Sequence, residues 1–319
     1  NPGSVAIGII RGGNYVRNTL LPMLNQKDVK YIASANGLNG TALAHQHRIP
    51  FSTTNYHDIL SDPAVSLVII ATRHHLHAQM LVDALESGKN VWIEKPLAIY
   101  PEELKMIEEA LGRHPIGSFT IGFNRRFSLY ILKMKSLLGD SPMNVIMTMN
   151  AGDVSKNSWL QDREVGGGRV IGEACHLFDL AVYLTNSLIQ AVCMQCLGDS
   201  SETTDNATIL LRMKNGSIVT IHYFSNGSRA YQKERIEIYS AQRVLILDDY
   251  RSLTGYGFRN FSKMKSGHDK GHQTFLDTMI KAVEEGSGSI IPLHEMINVT
   301  AATFQALESL RRKCWVDIL

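Results

Sequence analysis

The chain has 319 residues, 44% of them hydrophobic and 19% charged, a globular balance that excludes wholesale disorder. Thirty-two basic and thirty acidic side chains leave a formal charge of +2, too even for nucleic acid or an anionic membrane to be the main partner. No apolar run approaches the ~20 residues that span a bilayer, no basic stretch leads into an apolar one at the N-terminus, and four cysteines are too few for a disulfide framework, so the cytoplasm is the expected location.

The first residue is Asn1 and a strand pattern begins within four residues of it, so the sequence reads as a piece of a longer chain. A continuous apolar run predicts a strand over 5–10. The spacing of Val16, Leu20, Leu21 and Leu24 predicts a helix over 15–24, and a second strand follows at 29–35. Short helices are expected at 41–47 and 56–60. A Val/Ile-rich strand of the kind buried on both faces is expected at 66–71, and an amphipathic helix at 76–87 stopped by Gly88. Strands at 90–93 and 118–122 complete the set, with Pro101 opening the helix between them. Strand–helix alternation with continuous apolar strands predicts a doubly wound parallel sheet, a dinucleotide-binding Rossmann domain over 1–122.

The pattern changes after Gly122. Helices are expected at 127–138 and 172–185, then strands at 190–197, 207–213, 217–224, 234–239 and 244–248, with Asn215-Gly216 marking a hairpin. The stretch 252–270 is rich in Gly, Ser, Arg and Lys and reads as a mobile loop; helices at 272–285 and 294–312 close the chain. The expected architecture is α/β plus α+β. The second domain, 123–319, is a substrate-binding and oligomerisation domain with a mostly antiparallel open sheet covered by helices.

Candidate chemistry sits where strands end. In Gly8-Ile9-Ile10-Arg11-Gly12-Gly13-Asn14-Tyr15, Gly13 occupies one of three fingerprint positions and would let the backbone approach a pyrophosphate, while Arg11 stands where the tight turn wants glycine. An ordinary glycine-containing turn explains this stretch equally well. The second strand ends in Ser34-Ala35-Asn36 with no carboxylate to hold ribose hydroxyls, which removes the feature that repels a 2′-phosphate; a plain polar turn is the competing reading. Thr72, Arg73 and His77 follow the strand at 66–71. Three histidines in His74-His75-Leu76-His77 invite a metal, but they lack an acidic or cysteine neighbour at ligand spacing, so no metal site is expected. Glu94-Lys95-Pro96 ends another strand, where a lysine can act as a fixed cation or proton donor and Glu94 can orient it.

In the second half, Gly166-Gly167-Gly168 precedes Glu173, His176 and Asp179, spaced so that all three can share a helix face. His176 there is a candidate base, and a core histidine bonded to Asp179 is the competing reading. Asn124 could reach a nicotinamide or a substrate hydroxyl. Arg125 and Arg126 could bind an anion such as a diphosphate, although an ion-paired helix start is the stronger reading. Cys193 and Cys196 have CxxC spacing within a strand and read as ordinary cysteines.

Together, Glu94-Lys95-Pro96, Thr72 with His77 after a strand, and the glycine triplet with His176 and Asp179 resemble the Gfo/Idh/MocA oxidoreductases over essentially the whole chain. The stretches 122–127 and 166–179 are similar to the oxidoreductase half of bi-domain dehydrogenases, where this unit follows a zinc-type alcohol dehydrogenase half. The resemblance implies hydride transfer between NAD or NADP and a carbinol or keto carbon of a sugar, nucleotide sugar or cyclitol, with NADP slightly favoured. It implies Lys95 and His176 as catalytic residues. The family's usual acid falls at Gly172, leaving its neighbour Glu173 for the third role. The cofactor set expected is Gly8, Arg11, Gly12, Gly13, Asn14, Tyr15, Ser34, Asn36, Thr72, Arg73, His77, Glu94, Lys95 and Asn124. The substrate set is Lys95, Asn124, Arg126, Arg163, His176 and Asp179. A homodimer or homotetramer through the C-terminal sheet is implied, and fusion to a second dehydrogenase domain is a further expectation. The rival reading is a degenerate Rossmann module that binds nucleotide for regulation or assembly without turnover.

Overall fold

A computed structural model describes residues 5–10, 13–24, 27–114, 117–155, 157–198 and 204–318. The chain divides into two compact units, 1–122 with 275–293, and 123–274 with 294–319. The division after Gly122 is thus accompanied by a return of 275–293 to the first unit. Within that unit Phe275 packs edge-on against Trp92 at 5.0 Å, and Ser289 Oγ accepts a hydrogen bond from the Phe119 N–H at 3.1 Å.

The first unit is built on six parallel strands: β1 (Ile7–Ile10), β2 (Val29–Ala33), β3 (Phe51–Thr53), β4 (Leu67–Ile70), β5 (Asn90–Ile93) and β6 (Phe119–Ile121). Their order is β3-β2-β1-β4-β5-β6. β1 and β4 are buried along their whole length, as expected of strands covered on both faces. The order in which successive strands are added reverses between β1 and β4, so a crevice opens beyond their carboxyl ends, the place where open parallel sheets bind ligands. The helices Gly37–His47, His77–Glu86 and Pro101–Arg113 link successive strands. β3 is a short strand that the sequence pattern does not reveal; its exposed Phe51 stacks on Tyr31 of β2 at 4.9 Å.

The second unit carries nine strands: β7 (Asn144–Asn150), β8 (Ile189–Cys196), β9 (Ala207–Met213), β10 (Ile218–Phe224), β11 (Glu234–Ser240), β12 (Arg243–Asp248), β13 (Ser252–Tyr256), β14 (Lys263–Lys265) and β15 (Val316–Asp317). The order is β14-β13-β12-β11-β7-β10-β9-β8-β15, antiparallel throughout except for β7 beside β10. Burial alternates along these strands, so one face of the sheet is covered and the other open. On the covered face, helix Leu293–Arg312 is tied to β8: Asn298 exchanges hydrogen bonds with the Ile189 backbone, and Ser309 Oγ accepts from the Met194 N–H at 3.0 Å.

Two expectations fail here. The stretch 252–270 is not a loop throughout but contains β13 and β14, because Leu253 and Gly255 are buried as β13 extends the sheet. The central strand β7 was not expected at all; its Val145, Met147 and Met149 alternate with exposed or half-buried residues, a pattern that methionine and threonine blur. Among the described residues no helix is long and apolar enough to cross a membrane.

Candidate active site

The crevice of the first unit is a cleft of about 750 Å³ at the carboxyl ends of β1, β2 and β4. Gly13, Asn14, Ser34, Asn36, Thr72 and Arg73 line it, together with Arg17, Asn39 and His75. No carboxylate lines it among the described residues. Asn36 caps helix Gly37–His47: its Oδ1 accepts from the Asn39 N–H at 3.3 Å. The cap fixes the amide orientation and leaves the Asn36 NH2 group, a donor, toward solvent. These features fit a dinucleotide, whose ribose oxygens and phosphates need donors. Arg11 and Gly12, expected in the same turn, lie outside the described residues. After Gly13 the chain forms a π-type turn, Val16–Leu20, and the Gly13 carbonyl accepts from Arg17 N–H at 3.0 Å.

Four residues expected at the cofactor take other places. Gly8 lies buried inside β1. His77 is 0% exposed, and its Nδ1 and Nε2 face the Pro96 and Thr72 carbonyl oxygens at 2.6 and 3.2 Å. Burial holds its pKa down at about 4, so the ring is neutral and donates through one nitrogen. The shorter contact assigns that proton to Nδ1. His77 thus positions the two chain segments that carry Thr72 and Lys95, rather than touching a ligand. Tyr15 donates its hydroxyl proton to Glu94; burial and this carboxylate push the phenol pKa up. Burial likewise raises Glu94, against the opposing pull of the Lys95 ammonium. Gly122 makes room for this pair, since a Cβ there would lie 2.6 Å from a Glu94 oxygen. Lys95 itself is half-buried immediately past β5, joined to Pro96 by a cis peptide.

In the second unit, His176 opens helix Cys175–Thr185 after the π-type turn Val170–Ala174. It is 5% exposed and meets Phe123 edge-on, ring centroids 6.1 Å apart. The acids expected beside it are held elsewhere. Glu173 accepts from Arg169 Nη2 at 2.9 Å and from the Tyr223 hydroxyl, and pairs with Lys233 at 3.3 Å. With both oxygens engaged it is an anchor between the helix start and strand β10, not a ready acid or base. Asp179 accepts from Arg126, whose guanidinium also pairs with Glu295. Arg126 is therefore buried in structural ion pairs and is not offered to a substrate anion. Arg125 forms a two-point pair with Glu234, at 2.9 and 3.0 Å, and Lys270 joins the same carboxylate. Burial works against this charge, yet Arg125 and Lys270 hold Glu234 down at about 2. Arg163 is exposed.

Asn124, expected at both cofactor and substrate, follows β6 and is 7% exposed. Its amide nitrogen donates to the Lys270 carbonyl at 2.7 Å and contacts His272 Nε2 at 3.2 Å. Burial and the nearby Arg125 and Lys270 charges lower His272 to about 4. Sequence reading missed Arg169, Tyr223, Lys233, Glu234 and His272. The one signal for His272 is the glycine before it. The histidine cluster of 74–77 holds no metal arrangement: among the described residues no group of three His, Cys, Asp or Glu side chains does.

A six-stranded parallel sheet in this order, with a cleft at its switch point, defines a Rossmann-type dinucleotide-binding fold. Residues 5–116 match the profile of the oxidoreductase family with an NAD-binding Rossmann fold, and residues 142–245 match the GFO/IDH/MocA C-terminal domain. The chain belongs to the Gfo/Idh/MocA family and is an oxidoreductase of the NAD(P)-dependent dehydrogenase type. It is 25% identical to the uncharacterized oxidoreductase YrbE of Bacillus subtilis over 297 residues, 88% of this chain and 84% of the relative. It is 27% identical to levoglucosan dehydrogenase of Pseudarthrobacter phenanthrenivorans over 221 residues, 62% of this chain and 56% of that one. Myo-inositol 2-dehydrogenase of Thermotoga maritima is 24% identical over 207 residues, 62% and 61% of the two chains. In fold it is similar to the solved levoglucosan dehydrogenase complexed with NADH and L-sorbose, with a TM-score of 0.84, 23% identity and 99% of each chain covered.

Proposed function

We propose that this protein is a cytoplasmic dehydrogenase that oxidises a CH–OH group of a sugar, nucleotide sugar or cyclitol, or reduces the corresponding ketone, and that it accepts NADP(H) at least as well as NAD(H). The acid-free cleft carries this reading. Ser34 and the capped Asn36 offer donors there, and no fixed negative charge meets a 2′-phosphate. Gly13, Asn14, Thr72 and Arg73 complete the cofactor contacts, on the lining they share. The named relatives that act on levoglucosan and myo-inositol support a polyhydroxylated substrate.

When bound, the nicotinamide supplies the hydride acceptor or donor. Loss of hydride from a carbinol requires the hydroxyl proton to leave with it. We assign His176 as the base that takes this proton at an imidazole nitrogen. We assign the Lys95 ammonium as the fixed positive charge that stabilises developing negative charge on the oxygen. In reduction the same groups polarise and protonate the carbonyl. Burial on the covered side and the hydrogen bonds around Glu94 and His77 preorganise the Lys95 segment. We further propose that a second copy covers the open sheet face, where Ile146, Ile218 and Tyr239 are exposed.

Titrating NADH and NADPH fluorescence, then screening polyols with NAD⁺ and NADP⁺, tests the reading. Binding followed by turnover of a polyol supports it. Binding without any turnover supports a nucleotide-binding regulatory module instead, and no binding of either cofactor overturns both.

A further inference from the structure

The carboxamide of Asn124 is held from one side only. Its nitrogen donates to the Lys270 carbonyl and to His272 Nε2, while its Oδ1 takes no hydrogen bond among the described residues, in a side chain 7% exposed. A carbonyl acceptor fixes which end of the amide is nitrogen, because only the NH2 end can donate to Lys270 O. His272 Nε2 must then be the acceptor and its proton must sit on Nδ1.

The segment that supplies both acceptors is clamped to the turn that carries Asn124. Asp269 Oδ2 accepts from the Leu129 N–H at 2.8 Å, Asp269 Oδ1 from the Gly271 N–H at 2.8 Å, and the Asp269 carbonyl from Ser128 Oγ at 2.8 Å. Gly271 has φ +80°, and a Cβ there would lie 2.4–2.5 Å from Ser128 N, Asn124 O and Phe127 C, so only glycine permits this approach. The clamp leaves the amide one orientation and one vacant function, an acceptor. Oδ1 keeps some contact with solvent, so a donor that arrives with a ligand can reach it.

We propose that His272 and the Lys270 carbonyl are positioning groups that lock Asn124 so that its Oδ1 accepts a hydrogen bond from a hydroxyl of the substrate. This rests on the polyol dehydrogenase reading above. It deepens that reading by making the contact specific for a donor: a hydroxyl is accepted, and a carbonyl or carboxylate oxygen at that point is rejected. Swapping the amide ends to suit an acceptor ligand would set Oδ1 against the Lys270 carbonyl, leaving two acceptors facing each other.

The test compares His272→Phe, which removes the acceptor, with His272→Gln, which can restore one through its side-chain carbonyl. Steady-state kinetics are measured on the NADP⁺- or NAD⁺-loaded enzyme with a polyol panel that includes myo-inositol and levoglucosan. NADPH affinity and thermal unfolding are followed in parallel. For the best-used polyol, His272→Phe should raise KM by about tenfold, the cost of one neutral hydrogen bond, with kcat within about threefold and NADPH affinity within about twofold. His272→Gln should return KM to within about threefold of wild type. Nitrogen NMR of wild-type His272 should show an unprotonated Nε2 at neutral pH, a readout that survives even if a variant fails to fold. A wild-type KM in His272→Phe, a Gln variant as impaired as Phe, or a protonated Nε2 overturns the proposal. So does NADPH binding with no polyol used, whereas failure to bind either cofactor sinks the dehydrogenase reading itself.

Discussion

Asp179 Oδ1 accepts a hydrogen bond from Arg126 Nε at 2.8 Å, and both side chains are almost completely buried. Asp179 lies three residues after His176 on the same helix, yet its charge is spent on an arginine that also holds Glu295. Removing one member of a buried pair leaves the other charge uncompensated. Asp179→Ala should therefore lower unfolding free energy by about 3–5 kcal/mol. Urea denaturation of the two proteins reads this directly, and a loss below about 1 kcal/mol would show that Arg126 finds another partner.

Glu234 governs acid stability. Its folded pKa, about 2, lies below the ordinary glutamate value of 4.5, because Arg125 and Lys270 outweigh the penalty of burial. The unfolded chain therefore binds more protons than the folded one between these values. The stabilisation is complete above pH ~4.5 and is lost as pH falls toward ~2, by about 3 kcal/mol in all. Glu234→Gln should be less stable at neutral pH and should flatten the unfolding free energy across that acid window. Identical slopes for the two proteins would remove Glu234 from the account.

On the proposed reading, cofactor choice rests on Asn36. Asn36→Asp keeps a cap oxygen for the Asn39 N–H but introduces a carboxylate at the mouth of the cleft. NADPH affinity should fall by about tenfold or more while NADH affinity stays within about threefold. Fluorescence titration measures both. Equal affinities in the variant, or a wild type that prefers NADH more than tenfold, would place the 2′-hydroxyl recognition elsewhere.

His176→Asn should reduce turnover by about 10²–10⁴-fold. Thermal unfolding should change little by comparison. Turnover in the variant within a few-fold of wild type would remove His176 from the mechanism.

Much of the first unit can be read from sequence because its strands are continuous apolar runs separated by helix-period segments, as in Leu67–Ile70 before His77–Glu86. Strand β7 escapes that reading because Met147 and Met149 mark its buried face while Thr148 is only half-buried, so polarity hardly alternates. The positions of Lys95 and His176 after strand and glycine signals are legible. Their surroundings are not, because local spacing cannot reveal partners far along the chain. Glu173 looks available beside His176, and only the fold brings Tyr223 and Lys233 to it from 50 and 60 residues onward. Arg125 and Lys270 likewise meet at Glu234 from distant segments, which makes the end of the stretch read as a mobile loop part of a buried charge cluster.

The central claim is that this chain moves hydride between a nicotinamide and a polyol with Lys95 stabilising the oxygen. The most direct measurement is the appearance of NADPH or NADH absorbance when wild type and Lys95→Met are each mixed with NADP⁺ or NAD⁺ and the polyol panel. Wild type should reduce the cofactor with at least one polyol. Lys95→Met should do so about 10²–10⁴-fold more slowly while binding the cofactor within a few-fold of wild type. A Lys95→Met protein that turns over like wild type, or a wild type that binds cofactor yet reduces none with any polyol, would contradict the account.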